Sequence, residues 1–197
     1  PAEGASTMYD LPLRHTADAV TSGGKEFAIE LVHNGGTGAR PMLDGLSATA
    51  YPSGVFGSQV EMTEAAAPVT IWRRELRRDS GGPGTFRGGL GQSIEMTSAI
   101  EEPFLVFLSV ERIANPAKGR AGGGDGAPGR IRVSGRPADI PGKCALRVDP
   151  GERLYFDTPG GGGFGDPAAR DPRALADDVS AGFVSPEAAE KDYGGSS

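Results

Sequence analysis

The stretch Phe27-Ala28-Ile29-Glu30-Leu31-Val32, running straight into His33-Asn34-Gly35-Gly36-Thr37-Gly38-Ala39-Arg40, decides the fold. Its first six residues form a short apolar run that suits a largely buried strand, and the glycines that follow make a loop at the strand's end. Working outward, Val69-Thr70-Ile71-Trp72 with its continuation to Leu76, and Gln92-Ser93-Ile94-Glu95-Met96, read as half-buried strands. Phe104-Leu105-Val106-Phe107-Leu108-Ser109-Val110 is the strongest apolar run, and its aromatic and branched content predicts a central strand. Three further runs, Gly129–Val133, Cys144–Val148 and Arg153–Asp157, are each bounded by glycine or proline. Trp72, Phe104, Phe107, Tyr155 and Phe156 all fall in these strands and are expected in the core.

Composition agrees with a single β-rich unit. The chain has 197 residues, 37% of them hydrophobic, enough for one well-filled domain and short for two. Glycine (32) and proline (16) are abundant without a collagen-like period, which argues against a helical bundle. A net charge of -6 with acids and bases interspersed offers no basic face for nucleic acid, and no apolar run is long enough to cross a bilayer. One cysteine, Cys144, allows no intramolecular disulfide, and there is no secretion signal, so a cytoplasmic location is expected. The chain opens on Pro1 rather than methionine, as a fragment or processed chain would.

The fold class expected is α+β: a predominantly β-sheet core with glycine-rich loops and two short C-terminal helices. Asp171 and Pro172 open the first helix, Leu175 and Val179 mark its face, and Gly182 ends it; Ser185 and Pro186 open the second, which runs toward Tyr193. Residues 1–25 are expected to be a mobile or draped arm, 26–167 the β-rich domain, and 168–197 a helical appendage.

Three clusters are candidates for chemistry. In Thr158-Pro159-Gly160-Gly161-Gly162-Gly163-Phe164-Gly165-Asp166-Pro167 the absent side chains would permit positive φ and let N–H groups converge on an anion, or would serve a tight passage between strand and helices. No Gly-Lys-Ser or Gly-Lys-Thr follows, so this is not a P-loop. Gly35, Gly36 and Gly38 with Arg40 and Asp44 combine a flexible backbone, a guanidinium and a carboxylate: Arg40 could clamp an anion, or pair with Asp44 to brace a turn. Glu75 through Gly91 reads as a long hairpin connection, with Asp79 or Arg87 at an interface or the rim of a site. Asp79-Ser80-Gly81-Gly82 resembles the nucleophile region of some serine proteases, but a triad needs a positioned histidine, and only His15 and His33 exist. Two separated histidines and one cysteine predict no metal site.

Taken together, Gly35–Arg40 with Asp44-Gly45, Glu75 through Gly91, Pro159 through Pro167, Asp171-Pro172 and Val184-Ser185-Pro186-Glu187 resemble hydantoinase B in order and spacing. The most specific part is Asp79-Ser80-Gly81-Gly82 paired with Arg87-Gly88-Gly89-Leu90-Gly91. The resemblance covers about Glu26 to Tyr193. It implies a B-type subunit of an N-methylhydantoinase or 5-oxoprolinase, and relation to the acetone and acetophenone carboxylases. In such systems an A-type subunit binds ATP and Mg and phosphorylates the substrate oxygen, and the B-type subunit helps complete hydrolysis or carboxylation. Family members are longer, and the N-terminal region where a divalent metal is expected has no counterpart here. The resemblance therefore implies that this chain works with an A-type partner, the rest of a B-type subunit and a small cyclic amide, and is inactive alone. Arg40, Asp44, Asp79 and Arg87 are the catalytic candidates. Gly35, Gly36, Gly38 and Gly160, Gly161, Gly162 and Gly163 are the candidates for substrate or anion binding.

Overall fold

The computed structural model describes residues 6–13, 27–49, 57–136 and 140–194. Eight strands form two antiparallel sheets of four. The first contains β1 (Ser6–Leu13), β2 (Phe27–Asn34), β5 (Phe104–Ser109) and β7 (Lys143–Val148), in the order β2-β1-β5-β7. The second contains β3 (Val69–Leu76), β4 (Gln92–Ser98), β6 (Arg130–Val133) and β8 (Leu154–Asp157), in the order β3-β4-β8-β6. Period-2 burial explains how the sheets meet. Phe104, Val106 and Leu108 alternate inward on β5, while Ile131 and Val133 do so on β6 and Leu154 and Phe156 on β8. These residues join Leu31, Ile94, Met96, Leu146 and Val148 in one apolar cluster, the shared core of a sandwich.

Register follows the same pattern. Val106 stands opposite Leu146 and Phe104 opposite Val148, while Phe156 faces both Ile94 and Ile131. A one-residue slip would turn each apolar set to solvent, so burial pins the pairing.

Seven of the strands lie where the sequence expects them, and β5 is interior to its sheet. Three differences stand out. Ser6–Leu13, expected in a mobile or draped arm, forms β1 and is hydrogen-bonded between β2 and β5; the rest of that arm, with His15, lies outside the described residues. A short helix α1 (Val60–Ala66) precedes β3 and docks on it through Glu64, whose Oε1 accepts the Ile71 N–H at 2.7 Å. Trp72 and Phe107, expected in the core, are 58% and 44% exposed because their positions fall on the outward phase of their strands. Trp72 donates from Nε1 to Thr97 and lies beneath the Arg153 guanidinium.

The C-terminal helices match expectation closely. Helix α2 (Pro172–Ser180) is capped by the Asp171 carboxylate, which accepts from Arg173 N–H, and α3 (Pro186–Tyr193) by Ser185, which accepts from Ala188 N–H. Gly182 follows α2 with φ 74°, the left-handed geometry that suits glycine there.

Candidate functional site

The glycine-rich connections meet at one end of the sandwich. Buried polar side chains tie the sheets together there: Gln92 Nε2 and Thr158 Oγ1 both donate to the Asn34 carbonyl, and Thr158 Oγ1 accepts the Gln92 N–H at 2.7 Å. Beyond this bridge, Gly160–Gly163 threads between the other connections. Gly160 N–H donates to Ala127 O, Gly161 N–H to Gly89 O and Gly163 N–H to Gly124 O. None of these four glycines has positive φ. What they lack is room for a side chain. A Cβ on Gly160 would meet Ser80 O, on Gly161 Thr37 O, on Gly162 Lys118 O and on Gly163 Pro83 O, all backbone atoms of different segments. Glycine is required here for close backbone approach rather than for a bend through positive φ, and three N–H groups that an anion would need are already bonded to carbonyls.

Gly35, Gly36 and Gly38 lie in the same assembly. Gly36 N–H donates to Pro159 O, Ala39 N–H to Gly162 O, and Gly89 N–H to Thr37 O. The glycine candidates from the two ends of the sequence are thus neighbours.

The charged candidates separate. Asp44 and Arg87 come together: Asp44 Oδ1 accepts the Arg87 backbone N–H at 2.7 Å. Their side chains are joined through two residues that sequence reasoning did not single out, Arg170 and Asp178. Arg170 grips Asp44 with Nη1 and Nη2 at 2.9 and 2.7 Å and also donates to Asp178 at 2.6 Å. Arg87 grips Asp178 from the other side at 3.1 and 3.2 Å. Arg87, Arg170 and Asp178 are buried, so two guanidinium groups and two carboxylates form a neutral cluster capped by aromatic rings. The Arg87 guanidinium lies 5.4 Å from the Phe183 ring centroid and that of Arg170 6.0 Å from Tyr193.

Charge in the cluster is mutually reinforced. Burial opposes ionisation of Asp44, but the hydrogen bonds and positive charge of Arg170 outweigh it and hold the carboxyl below its usual range. Burial likewise works against the Arg170 cation, and Asp44 and Asp178 reverse that, raising its proton affinity. The Tyr193 hydroxyl is pushed up to about 12, chiefly by burial.

Arg40 is not part of the cluster. It stands exposed at the start of the Arg40–Leu43 turn, and its Nη2 donates to the Asp44 main-chain carbonyl at 3.4 Å; the Arg40–Asp44 side-chain pair, one of the two readings of this loop, is not formed, and Asp44 pairs with Arg170 instead. Met42, at the tip, has φ 76° and is 80% exposed. Asp79 also stands apart. With φ 58°, it accepts the Ser185 N–H on Oδ1 and donates its own N–H to Phe183 O, fastening the link between α2 and α3 to the β3–β4 connection. Ser80 is fully buried, donating to Arg77 O and accepting from Gly91 N–H, which is the setting of a structural hydroxyl rather than a nucleophile. His33 is buried against Phe156, and desolvation, helped by Arg74, pushes its pKa down to about 3. Among the described residues no group of three or more His, Cys, Asp or Glu side chains could hold a metal. No helix among them is long and apolar enough to cross a membrane.

Arg170 and Asp178 left only a faint trace in the sequence. Asp166-Pro167-Ala168-Ala169-Arg170-Asp171-Pro172 reads as capping punctuation, and Asp178 as one more polar residue of a short helix.

Comparison with known proteins gives the family of the chain. The family described as Hydantoinase B/oxoprolinase matches residues 1–167. The caprolactamase subunit beta of Pseudomonas jessenii is 34% identical over 174 residues, covering 81% of this chain and 29% of that protein. The 5-oxoprolinase 1 of Arabidopsis thaliana is 33% identical over 150 residues, covering 74% and 12%. The acetone carboxylase alpha subunit of Xanthobacter autotrophicus is 29% identical, covering 81% and 25%. The crystal structure of the ATP-dependent caprolactamase from Pseudomonas jessenii superposes with a TM-score of 0.78 at 26% identity, covering 95% of this chain and 33% of that one. The chain thus spans about a third or less of the length of these relatives. With a family match over residues 1–167, most of its length, the chain belongs to the Hydantoinase B/oxoprolinase family.

Proposed function

We propose that the chain is the C-terminal portion of a B-type subunit of an ATP-dependent cyclic-amide hydrolase, of the N-methylhydantoinase or 5-oxoprolinase type, acting with an ATP-binding A-type partner. The observation that carries this reading is the likeness to the caprolactamase subunit beta, which extends over 81% of the chain. A lactam is a cyclic amide, and an amide carbonyl is a poor electrophile until its oxygen is phosphorylated. ATP and Mg are assigned to the A-type partner. The glycine run here has no P-loop lysine and three of its N–H groups are engaged, so no phosphate step is derived from it. A divalent metal is assigned to the N-terminal region of the B-type subunit.

Within this reading Arg40 is, of the charged candidates Arg40, Asp44, Asp79 and Arg87, the one available to meet an anion, because it is exposed beside the glycine assembly. Asp44 and Arg87 act by holding that assembly in place, and Asp79 by docking the C-terminal helices. The test is ATP-dependent hydrolysis of 5-oxoproline, hydantoin and caprolactam by the complete assembly, with and without Arg40→Ala. Loss of turnover with the assembly intact supports the clamp; full turnover refutes it and leaves the chain as an assembly domain. The acetone carboxylase alpha subunit likeness favours one other reading, a ketone carboxylase subunit. Bicarbonate-dependent acid formation from a ketone, without lactam hydrolysis, would establish that reading in place of the first.

A further inference from the structure

We propose that Arg170, held by Asp178, is a positioning residue that fixes the Arg40–Leu46 loop, and through it Arg40, from the C-terminal helical segment. The loop is joined to the cluster at one point above all. The Asp44 carboxylate takes two hydrogen bonds from Arg170 and one from Arg87 N–H, while the Asp44 main-chain carbonyl accepts from Arg40 Nη2. Immediately after this anchor, Gly45 N–H donates to Arg87 O and Leu46 N–H to Thr37 Oγ1. The Arg170 side chain is 3% exposed, whereas the loop it holds exposes Arg40, Met42, Leu43 and Leu46. A buried group thus determines the placement of an exposed one.

Two features favour positioning over simple stability. Buried ion clusters are seldom more stabilising than apolar packing of the same volume, because desolvation offsets attraction. This cluster is also not fully satisfied, since Arg170 Nε is buried without a partner among the described residues. What the arrangement supplies is geometry. A planar fork shared by two carboxylates fixes both of them, and one carries a loop whose tip holds Met42 at φ 76°. Both Arg170 and Asp178 lie beyond residue 167, where the family match stops.

Two measurements test the proposal. The first is hydrogen exchange on the intact protein, independent of any activity. Arg170→Lys keeps the charge and loses the fork, and is expected to speed exchange of the Gly45 and Leu46 amides about tenfold, roughly the worth of one charge-assisted hydrogen bond, while the β5 amides keep wild-type protection. Equal exchange in loop and core would overturn the proposal. Should Arg170→Lys fail to fold, Asp178→Asn answers the same question, with the same loop-selective loss expected. The second measurement rests on the proposed function and uses the assembled enzyme. If Arg170 acts through Arg40, Arg170→Lys lowers kcat/KM in the wild type and adds nothing to Arg40→Ala, whereas additive losses would show that it acts elsewhere. If every lactam and ketone is inert, the functional reading fails and the exchange experiment still decides the positioning role.

Discussion

Gly161→Ala is expected to be among the most damaging single-methyl changes in the protein. A Cβ on Gly161 would stand 1.9 Å from Thr37 O, 2.3 Å from Thr37 C and 2.7 Å from Gly38 N. That is roughly 1 Å inside any separation real Cβ atoms occupy, and the obstacle is backbone, so no rotamer change relieves it. The Thr37 segment must move. Its carbonyl accepts Gly89 N–H at 2.8 Å, and Gly161 N–H donates to Gly89 O at 2.9 Å, so the shift strains two hydrogen bonds at once. Overpacking of about 1–3 kcal/mol, plus about 1–3 kcal/mol for a buried peptide group left without its partner, gives a loss of about 4 kcal/mol. For a chain of this size that lowers Tm by roughly 8–16 °C. Urea and thermal unfolding of the protein, wild type against variant, measure it. Gly151→Ala is the control: φ there is +83°, but nothing lies within 4 Å, so only left-handed strain of about 1–2 kcal/mol is expected. If Gly161→Ala costs no more than Gly151→Ala, close approach is not why the run is glycine.

Acid should destabilise the fold from an unusually high pH. The folded pKa of His33 is about 3, below the ordinary 6.5, so the unfolded chain binds the extra proton between those values; the stability is intact above about 6.5 and falls by about 1.4 kcal/mol per pH unit below it. Asp44, whose pKa is depressed, adds its own loss only below the ordinary carboxylate range, so the interval from about 6.5 to 5 reports His33. The His33 imidazole resonance, assigned apart from that of His15, titrating near 6.5 in the folded state would refute this. The sole tryptophan, Trp72, is 58% exposed and should be readily quenched by iodide in the folded protein; protection equal to that of a core residue would contradict its placement.

The sequence by itself determined what depends on neighbours along the chain. Apolar runs bounded by glycine or proline, with polar–apolar alternation in the half-buried ones, placed seven strands, since each strand must bury at least one face and ends where the chain turns. Asp171-Pro172 and Ser185-Pro186 announced both C-terminal helices, because a cap and a fixed φ act within one turn. The family resemblance was carried by glycine spacing for a related reason: glycines such as Gly36, Gly88, Gly89 and Gly161 mark places where no side chain fits.

Only the tertiary structure decided what depends on residues far apart. Helix α1 has seven residues and no side-chain cap, too short to show itself by propensity, and is held against β3. Strand β1 exists as the partner of β2 and β5, which its own mixed composition does not reveal. Whether Trp72 faces in or out turned on the phase of a strand with a register shift between Ile71 and Arg73. Asp44 found its partner 126 residues away in Arg170, although Arg40 was four residues off, because a buried guanidinium needs carboxylates to offset its lost hydration and an exposed one does not. For the same reason Arg170 and Asp178 were invisible among ordinary surface charges until the fold closed over them.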